Sequence, residues 1–530
     1  MLGIVILAAI LRFWSLGSLP PSLDWDEAAW GYNAYSLGID GRDEFGRFLP
    51  VDYLESFGDF KPPVYAYLDV IPVKLLGLNE FSTRFPSAFF GTLTVLLTYF
   101  LVKEIFVNSK RKDLYALFSA LFLAVSPWHI MLSRAAFEAN VSTFFIVLGV
   151  YLFLKAINSD RKYLILSFVS FVVSFYTFNT ARIVSPIIVF LLFVIFLKKL
   201  LNSKRELSIA VIISIILLLP TVKFMLSSDA TLRFREVNIF SDPSVAALVN
   251  KEIQNDNNSF ISKIIHNRRF VYSALFLQHY FDNLNPDFLF IKGDGNPKFS
   301  TQDVGELYLW DLPFFILGIF LLFRKREGYW WILPLWLLIA IIPAATARET
   351  PHALRTETTL PTFQVLTAYG FVQVIDRLKK YRKQIVSIFL FFLFLSLLYF
   401  LHGYFTYYAK EFSGEWQYGY KDSVNYVLSN LSKYNQVNVS ETLGRPYIYY
   451  LFYSKEDPRV YRKSAIIKRD ANGFVDIQGY GKFRFAKDLG KFRGKGFLFI
   501  DAPNRLPAKA FKIKTFYLMN GYPILIAYVI

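Results

Sequence analysis

The sequence predicts an α-helical membrane protein with about eleven membrane spans and a small α/β domain at its C-terminal end. Of its 530 residues, 54% are hydrophobic, and the mean hydropathy is +0.36. A soluble protein of this length is usually far less apolar. After His402 the long apolar runs stop, and short segments with helix and strand periodicity follow.

The apolar runs define the predicted spans. A helix needs about 20 residues to cross a hydrocarbon core about 30 Å thick. The predicted spans are 2–14, 81–102, 114–130, 141–154, 163–178, 183–197, 207–226, 307–323, 329–345, 360–375 and 385–401. The first lacks a basic n-region and a small-residue cleavage site, which favours an uncleaved helix over a signal peptide.

Basic residues predict the orientation. Lys and Arg crowd alternate loops, at 103–112, 155–162, 198–205, 324–326 and 377–383. Such loops are typically cytoplasmic. We therefore expect a multi-pass plasma-membrane protein with a cytoplasmic N-terminus. Its transmembrane domain, 1–403, would have outer loops 17–80 and 227–306, and its α/β domain, 404–530, would be extracytoplasmic.

The net charge of +17 is explained by these loops, so the composition does not predict nucleic-acid binding. The absence of cysteine excludes disulfides, zinc–thiolate sites and thiol nucleophiles. In the C-terminal segment we predict helices at 422–433 and 446–453 and strands at 436–439, 496–500 and 524–529.

The densest acidic cluster follows the first span and contains Asp24, Asp26 and Glu27. A helix is predicted from residue 26 to residue 37, with Asp24 or Asp26 near its N-cap and Tyr32 within it. A carboxylate just above the bilayer can accept a proton from an attacking hydroxyl group. The alternative is that the three acids only cap the helix and complement its dipole.

Further along the same loop, Asp59 precedes Lys61, which stands directly before two prolines. This lysine can contact a phosphate, or it can be a membrane anchor whose ammonium snorkels to the interface. In the next outer loop, Arg134 and Glu138 are four residues apart. They can support a substrate, but an ion pair on one helical face is favoured.

Cations also occur in the outer turn 346–356, which contains Arg348, His352 and Arg355. Positive residues on this side run against the usual charge bias, and the planar arginine fork fits phosphate oxygens. Pairing with Glu349 or Glu357 is the structural alternative. A Gly- and Pro-rich turn at 292–298 adds two further candidates for a substrate or supporting role, Lys292 and Asp294.

Together these segments resemble the membrane glycosyltransferases of the GT-C superfamily, and most closely glycosyltransferase family 39 and its PMT_2 relatives. That branch contains protein O-mannosyltransferases and lipid A aminoarabinose transferases. The resemblance covers the first to about the tenth span. It is carried by the acidic loop, Lys61-Pro62-Pro63, Arg84-Phe85-Pro86-Ser87, Ser126-Pro127-Trp128-His129 and the turn from Arg348 to Arg355.

The resemblance implies a polyprenyl-phosphate sugar donor, inversion at the anomeric carbon and a catalytic base in the first outer loop. By position, Asp26 matches that base, with Glu27 beside it, and Lys61 matches a ligand of the donor phosphate. Some aminoarabinose transferases have a glutamate just before this lysine and bind zinc nearby, whereas this chain has Phe60. No cofactor is required, a divalent metal stays open, and the acceptor is a lipid, a protein or a glycan.

Two other functions fit the same residues. An oligosaccharide ligase with a diphosphate-linked donor would need a divalent metal at Asp24 and Asp26. A flippase or transporter of lipid-linked sugars would use the basic turn only to grip a headgroup. The sequence contains no P-loop, no G-x-G-x-x-G and no H-E-x-x-H motif, so the chemistry is predicted to lie in the outer loops.

Overall fold

The computed structural model describes residues 1–227, 230, 237–469 and 475–530. The predicted outer loop 227–306 and the predicted domain 404–530 therefore each contain a few residues outside the described set, at 228–229, 231–236 and 470–474.

Each predicted span coincides with a helix, but the count of eleven crossings is not confirmed. Within the described residues, four helices are long and apolar enough to cross a membrane: Glu80–Ile105, Glu138–Asn158, Leu197–Met225 and Lys379–Phe412. The number becomes five if Lys112–Val125 and Pro127–Arg134, which are bent by 55°, form one span. The remaining apolar helices are shorter than the roughly 20 residues needed for a straight crossing. The protein is a multi-pass membrane protein, and its orientation stays a prediction.

The other helices are shorter or connect the spans. The shorter apolar ones are Leu2–Phe13, Tyr163–Phe175, Ala181–Ile195 and Ile332–Ala345. The helices Asp311–Lys325 and Thr362–Arg377 also coincide with predicted spans. The outer segments contain Trp25–Asp40, Val64–Leu76, Pro243–Asn255, Phe260–Ile265, Arg268–Asp282 and the single turn Ala353–Thr356. The C-terminal part contains Tyr420–Asn430, Pro446–Ser454 and Pro458–Ser464.

The described chain forms two compact units. The first comprises Met1–Ala8, Gly91–Leu132 and Ala139–Phe400, and the second comprises Ala9–Phe90, Ser133–Glu138 and Leu401–Ile530. In the first unit, two glycines bring helices into backbone contact. A Cβ at Gly318 would lie 2.0 Å from the carbonyl oxygen of Leu366, and one at Gly370 would lie 2.1 Å from that of Phe314. Small residues permit this close packing of membrane helices.

The second unit contains all the strands of the described chain. They are β1 (Leu54–Ser56), β2 (Asp59–Lys61), β3 (Gln436–Ser440), β4 (Ile466–Arg469), β5 (Val475–Tyr480), β6 (Phe483–Ala486), β7 (Phe497–Asp501), β8 (Phe511–Tyr517) and β9 (Pro523–Val529). The first two form a small antiparallel hairpin. The others form one sheet in the order β4-β5-β6-β3-β7-β9-β8, in which β3 is parallel to both of its neighbours and the remaining neighbouring pairs are antiparallel.

The predicted helices and strands after His402 are confirmed. The central strands β3 and β7 are buried. In β3 the apolar Val437 and Val439 alternate with Asn438 and Ser440, whereas β7 is apolar on both faces from Phe497 to Ile500. The same hydrophobic core includes Ala28 and Tyr32 of helix Trp25–Asp40. The first outer segment and the C-terminal sheet therefore fold around one core, and the predicted domain boundary after residue 403 stays a prediction.

Candidate functional site

The acidic cluster lies where helix Trp25–Asp40 begins. The backbone N–H of Glu27 donates to Oδ1 of Asp24 at 2.9 Å, and the backbone N–H of Asp24 donates to Oε2 of Glu27 at 3.1 Å. This reciprocal pair is a capping box. The capping interpretation is therefore correct for Asp24 and Glu27. It does not account for Asp26, whose side chain is 46% exposed.

Glu27 is fully buried and forms an ion pair with Arg84, which is also fully buried. The arginine Nε lies 2.8 Å from Oε1, and its Nη2 lies 3.0 Å from Oε2. Oε1 also accepts the N–H of Ala136 at 2.8 Å. Both carboxylate oxygens thus already accept hydrogen bonds from the protein. The predicted catalytic role of Glu27 is therefore not supported, and its contacts instead fix the helix that carries Asp26.

Asp26 is held by Lys61, which lies at the end of β2 and forms an ion pair with Oδ1 of the aspartate. The lysine side chain is only 7% exposed. Its Nζ lies over the rings of Trp30 and Phe57, at 5.1 and 5.3 Å from the ring centroids. The snorkelling interpretation is therefore wrong, because the ammonium is buried against a carboxylate. The pair combines an accessible carboxylate with a buried cation that orients it.

The ion pair predicted between Arg134 and Glu138 does not form. Arg134 ends helix Pro127–Arg134, and Glu138 begins the next helix, so the four-residue spacing does not place them on one helical face. The guanidinium instead donates to carbonyl oxygens of the first helix and the loop after it, with distances of 2.9 Å to Leu11 and 2.7 Å to Trp14. Arg134 therefore fixes the chain just before the acidic cluster.

The carboxylate of Glu138 interacts electrostatically with Lys61, Asp26 and Asp59. Asp59, like Lys61, belongs to β2. By contrast, the hydroxyl of Tyr32 donates to the carbonyl oxygen of Glu456 at 3.1 Å and is buried in the core. The structure thus places Asp59 and Glu138 beside the pair, and it gives Tyr32 a packing role.

The first unit brings three other sequence motifs together around Asp294. Its Oδ2 accepts the N–H of Ala353 at 2.6 Å, which ties the turn 292–298 to the start of helix Ala353–Thr356. The indole N–H of Trp128 donates to the carbonyl oxygen of Ala353 at 3.1 Å. The N–H of Asp294 donates to Glu306 at 3.0 Å. Asp294 is thus a supporting residue that fixes the basic turn.

Burial raises the pKa of Asp294 to about 6. His352 is also buried, and burial together with the nearby Arg355 holds the pKa of its imidazole well below the usual value. The protonated ring is therefore disfavoured, and the predicted role of His352 as a positive group is not supported. It packs on Phe299, with the ring centroids 5.0 Å apart.

The basic turn also carries the two arginines that the sequence predicts as phosphate ligands. Arg348 lies 3.5 Å from Asp242 and donates to the carbonyl oxygen of Asn238 at 3.2 Å, and its side chain is 38% exposed. Arg355 is partly exposed and donates to the carbonyl oxygen of Glu349 at 3.5 Å. Lys292 is 71% exposed and lies 3.5 Å from Asp287. In the described part of the chain, no group of three or more His, Asp or Glu side chains is arranged to hold a metal.

A further buried acid, Glu44, was not identified from the sequence. It accepts a hydrogen bond from Ser56 at 2.6 Å, and its backbone N–H donates to Asn33 at 3.0 Å. The hydroxyl of Tyr447 lies 3.4 Å from Oε2. Burial raises the pKa of Glu44 from 4.5 to about 8. Glu44 differs from other acidic residues of the chain by its polar contacts inside an apolar core. These contacts join residues far apart in the sequence, so no sequence pattern indicates them.

This pKa predicts a pH-dependent stability. Between about pH 4.5 and about pH 8 the unfolded chain loses the Glu44 proton while the folded chain keeps it. The contribution of Glu44 to the free energy of unfolding must therefore fall as the pH rises through that window. We expect Glu44→Gln to flatten the pH dependence of the thermal unfolding midpoint, whereas Glu411→Gln, at an exposed position, should leave it as in the wild type. An unchanged slope in Glu44→Gln would contradict a protonated Glu44.

Comparisons with known proteins agree with this fold. Residues 60–224 match the family model described as dolichyl-phosphate-mannose-protein mannosyltransferase, PMT_2. An uncharacterized protein of Aquifex aeolicus is 31% identical over 163 residues, which make up 30% of this chain and 30% of that protein. The match to the family model includes Lys61, Arg84 and Arg134, whereas Asp26 precedes it.

Two solved membrane enzymes share the fold. ArnT from Cupriavidus metallidurans bound to undecaprenyl phosphate aligns over 99% of this chain and 97% of its own, with 12% identity and a TM-score of 0.54. The Archaeoglobus fulgidus oligosaccharyltransferase solved with Zn and sulfate aligns over 85% of this chain and 61% of its own, with 15% identity and a TM-score of 0.51. The resemblance to the GT-C membrane glycosyltransferases is confirmed, and the chain has their fold.

Proposed function

We propose that this chain, which has the GT-C fold, moves a sugar from a polyprenyl-phosphate donor to a hydroxyl acceptor at the outer membrane face, with inversion at the anomeric carbon. The observation that carries the proposal is the pair formed by Asp26 and Lys61. It combines an accessible carboxylate with a buried cation, both fixed by a folded scaffold. A carboxylate that only stabilised a helix end would not need this second support.

The reaction is a single displacement. The Asp26 carboxylate takes the proton of the acceptor hydroxyl as its oxygen attacks C1 of the sugar. The bond between C1 and the phosphate oxygen breaks, and the lipid phosphate leaves from the opposite face with the bonding electrons. Lys61 keeps the carboxylate in place and serves as a ligand of the donor phosphate.

Arg348 and Arg355, which lie on the first unit, stay predicted phosphate ligands. Both side chains are partly exposed, and the turn that carries them is fixed by the hydrogen bond from Ala353 to Asp294. A guanidinium can hold two phosphate oxygens at once. His352 contributes a neutral ring rather than a charge. The ArnT structure with undecaprenyl phosphate supports a polyprenyl-phosphate donor.

The donor can be identified with purified full-length protein in lipid nanodiscs. A panel of radiolabelled polyprenyl-phosphate and polyprenyl-diphosphate sugars is added with a mixed pool of lipid, peptide and glycan acceptors, and the products are separated by chromatography. We expect one donor to yield free polyprenyl phosphate and a labelled acceptor in equal amounts.

The same panel, together with a transport assay in proteoliposomes, separates the two alternatives. Consumption of only diphosphate-linked donors, with activity abolished by EDTA, would identify an oligosaccharide ligase. Movement of intact donor between leaflets of a proteoliposome, without release of polyprenyl phosphate, would identify a transporter and contradict the proposal.

A further inference from the structure

The C-terminal part of the second unit contains a groove of about 490 Å³ between helix Tyr420–Asn430 and strand β8. Its lining is mixed. The aromatic rings come from Tyr418, Tyr426 and Tyr517, and the polar groups include Asp422, Asn425 and Lys514. Phe516 lies beneath them and is only 3% exposed, with its ring centroid 5.9 Å from that of Tyr426.

We infer that this groove binds a neutral oligosaccharide, which serves as the acceptor of the transferred sugar. A pyranose ring has an apolar C–H face and a rim of hydroxyl groups. The Tyr517 side chain is 53% exposed and presents aromatic surface to such a face. The exposed Asn425 amide and Asp422 carboxylate supply planar donors and acceptors for hydroxyl groups.

The charges of the groove favour a neutral ligand. Among the described residues that line the groove, Lys514 is the cation and Asp422 is the anion, so their formal charges cancel. The Lys514 ammonium also lies over Tyr426 and Phe516, at 4.9 and 5.4 Å from their ring centroids. The positive charge of Lys514 therefore already interacts with two aromatic rings of the groove. A phosphate-rich ligand would need an excess of cations here.

Strand β8, which lines the groove, argues against an extended peptide as its ligand. β8 is an edge strand of the seven-stranded sheet, and an edge can bind a peptide as an added strand. Lys512 and Lys514 lie on this strand and are exposed. Lysines on an edge strand discourage strand addition. The concave face beside the strand, rather than its backbone edge, is therefore the binding surface.

The groove and the proposed catalytic residue belong to the same unit. Tyr420 begins the helix that lines the groove, and its ring stacks on that of Tyr449 with a centroid distance of 4.5 Å. Tyr449 is fully buried and interacts electrostatically with Asp24 and Asp26. Its hydroxyl donates to Gln417, the neighbour of Tyr418, at 3.1 Å. The acceptor role rests on the proposed function, whereas saccharide binding does not.

A binding experiment tests the inference without catalysis. Fluorescent full-length protein in nanodiscs is applied to an array of mannan, glucan and galactan oligosaccharides. We expect the wild type to bind a subset of them. Asn425→Ala and Tyr517→Ala should lower the affinity about tenfold or more, because truncating a central contact often has an effect of this size. Tyr517→Phe, which keeps the ring, should retain binding.

Two controls complete the design. Tyr522→Ala removes a ring that is 70% exposed on the neighbouring turn but does not line the groove, so its binding should equal that of the wild type. Asp26→Asn should also bind normally, which separates a failed acceptor site from a failed reaction. Absence of any bound oligosaccharide, equal binding by the groove variants, or displacement of the glycan by peptides would overturn the inference.

Discussion

Replacing Asp26 with asparagine should lower sugar transfer by about 10²–10⁴-fold, the usual contribution of a general base. Asparagine has nearly the same shape, so the helix start formed by Asp24 and Glu27 should be unaffected. It cannot accept a proton from the acceptor. The loss should appear in kcat, as measured by release of polyprenyl phosphate from labelled donor.

Donor binding should persist in this variant, because Lys61 stays in place and loses only its anionic partner. Titration with a non-transferable donor analogue measures this separately from turnover. The matched control is Asp52→Asn, which removes a second partly exposed aspartate of the same segment, paired with Arg47 at 2.6 Å. It should keep near-normal activity. Wild-type turnover in Asp26→Asn would remove this residue from the mechanism.

The helix that carries Asp26 was predictable because its signals are local. Asp24 and Glu27 are three residues apart, which is the spacing of a capping box, and both lie directly before a helical periodicity. The strands around Val437 and Leu498 were predictable for the same reason, since Val437 and Val439 alternate with polar residues and Leu498 lies in a short continuous apolar run. Short-range patterns of this kind identified the elements but not their partners.

The partners of the charged residues were not predictable. Arg84 was singled out only as part of a family motif, and its carboxylate partner Glu27 is 57 positions away in the sequence. Arg134 was assigned to Glu138 because a sequence pattern indicates partners only by side-chain type. Its guanidinium in fact donates mostly to backbone carbonyl oxygens, and also to the hydroxyl of Tyr404. The neutral state of His352 likewise depends on burial, which periodicity does not indicate for a turn.

The count of spans could not be read from hydropathy because helices of this protein vary in length. Tyr163–Phe175 and Ala181–Ile195 are as apolar as the long spans but have only 13 and 15 residues. A hydropathy pattern measures how well a segment tolerates lipid. It does not measure whether the segment reaches both surfaces.

Replacing Arg84 with methionine should destabilise the protein by about 3–5 kcal/mol, because the change leaves the Glu27 carboxylate buried without its cation. The guanidinium also donates to the carbonyl oxygens of Pro20 at 2.8 Å and Ser22 at 2.6 Å. Its loss therefore releases the loop that leads into the Asp26 helix. The decrease is measured as a lower thermal unfolding midpoint in detergent.

A matched ion pair at the surface separates the effect of burial on stability from the effect of losing a charge. Arg47→Met breaks the partly exposed pair with Asp52, and such pairs contribute only about 0–1 kcal/mol. The double variant Arg84→Met with Glu27→Gln should recover part of the lost stability, because no buried charge then remains unpaired. Equal unfolding midpoints for Arg84→Met and Arg47→Met would show that the buried pair does not hold the helix start. In that case the position of Asp26 would depend on Lys61 and the capping box alone.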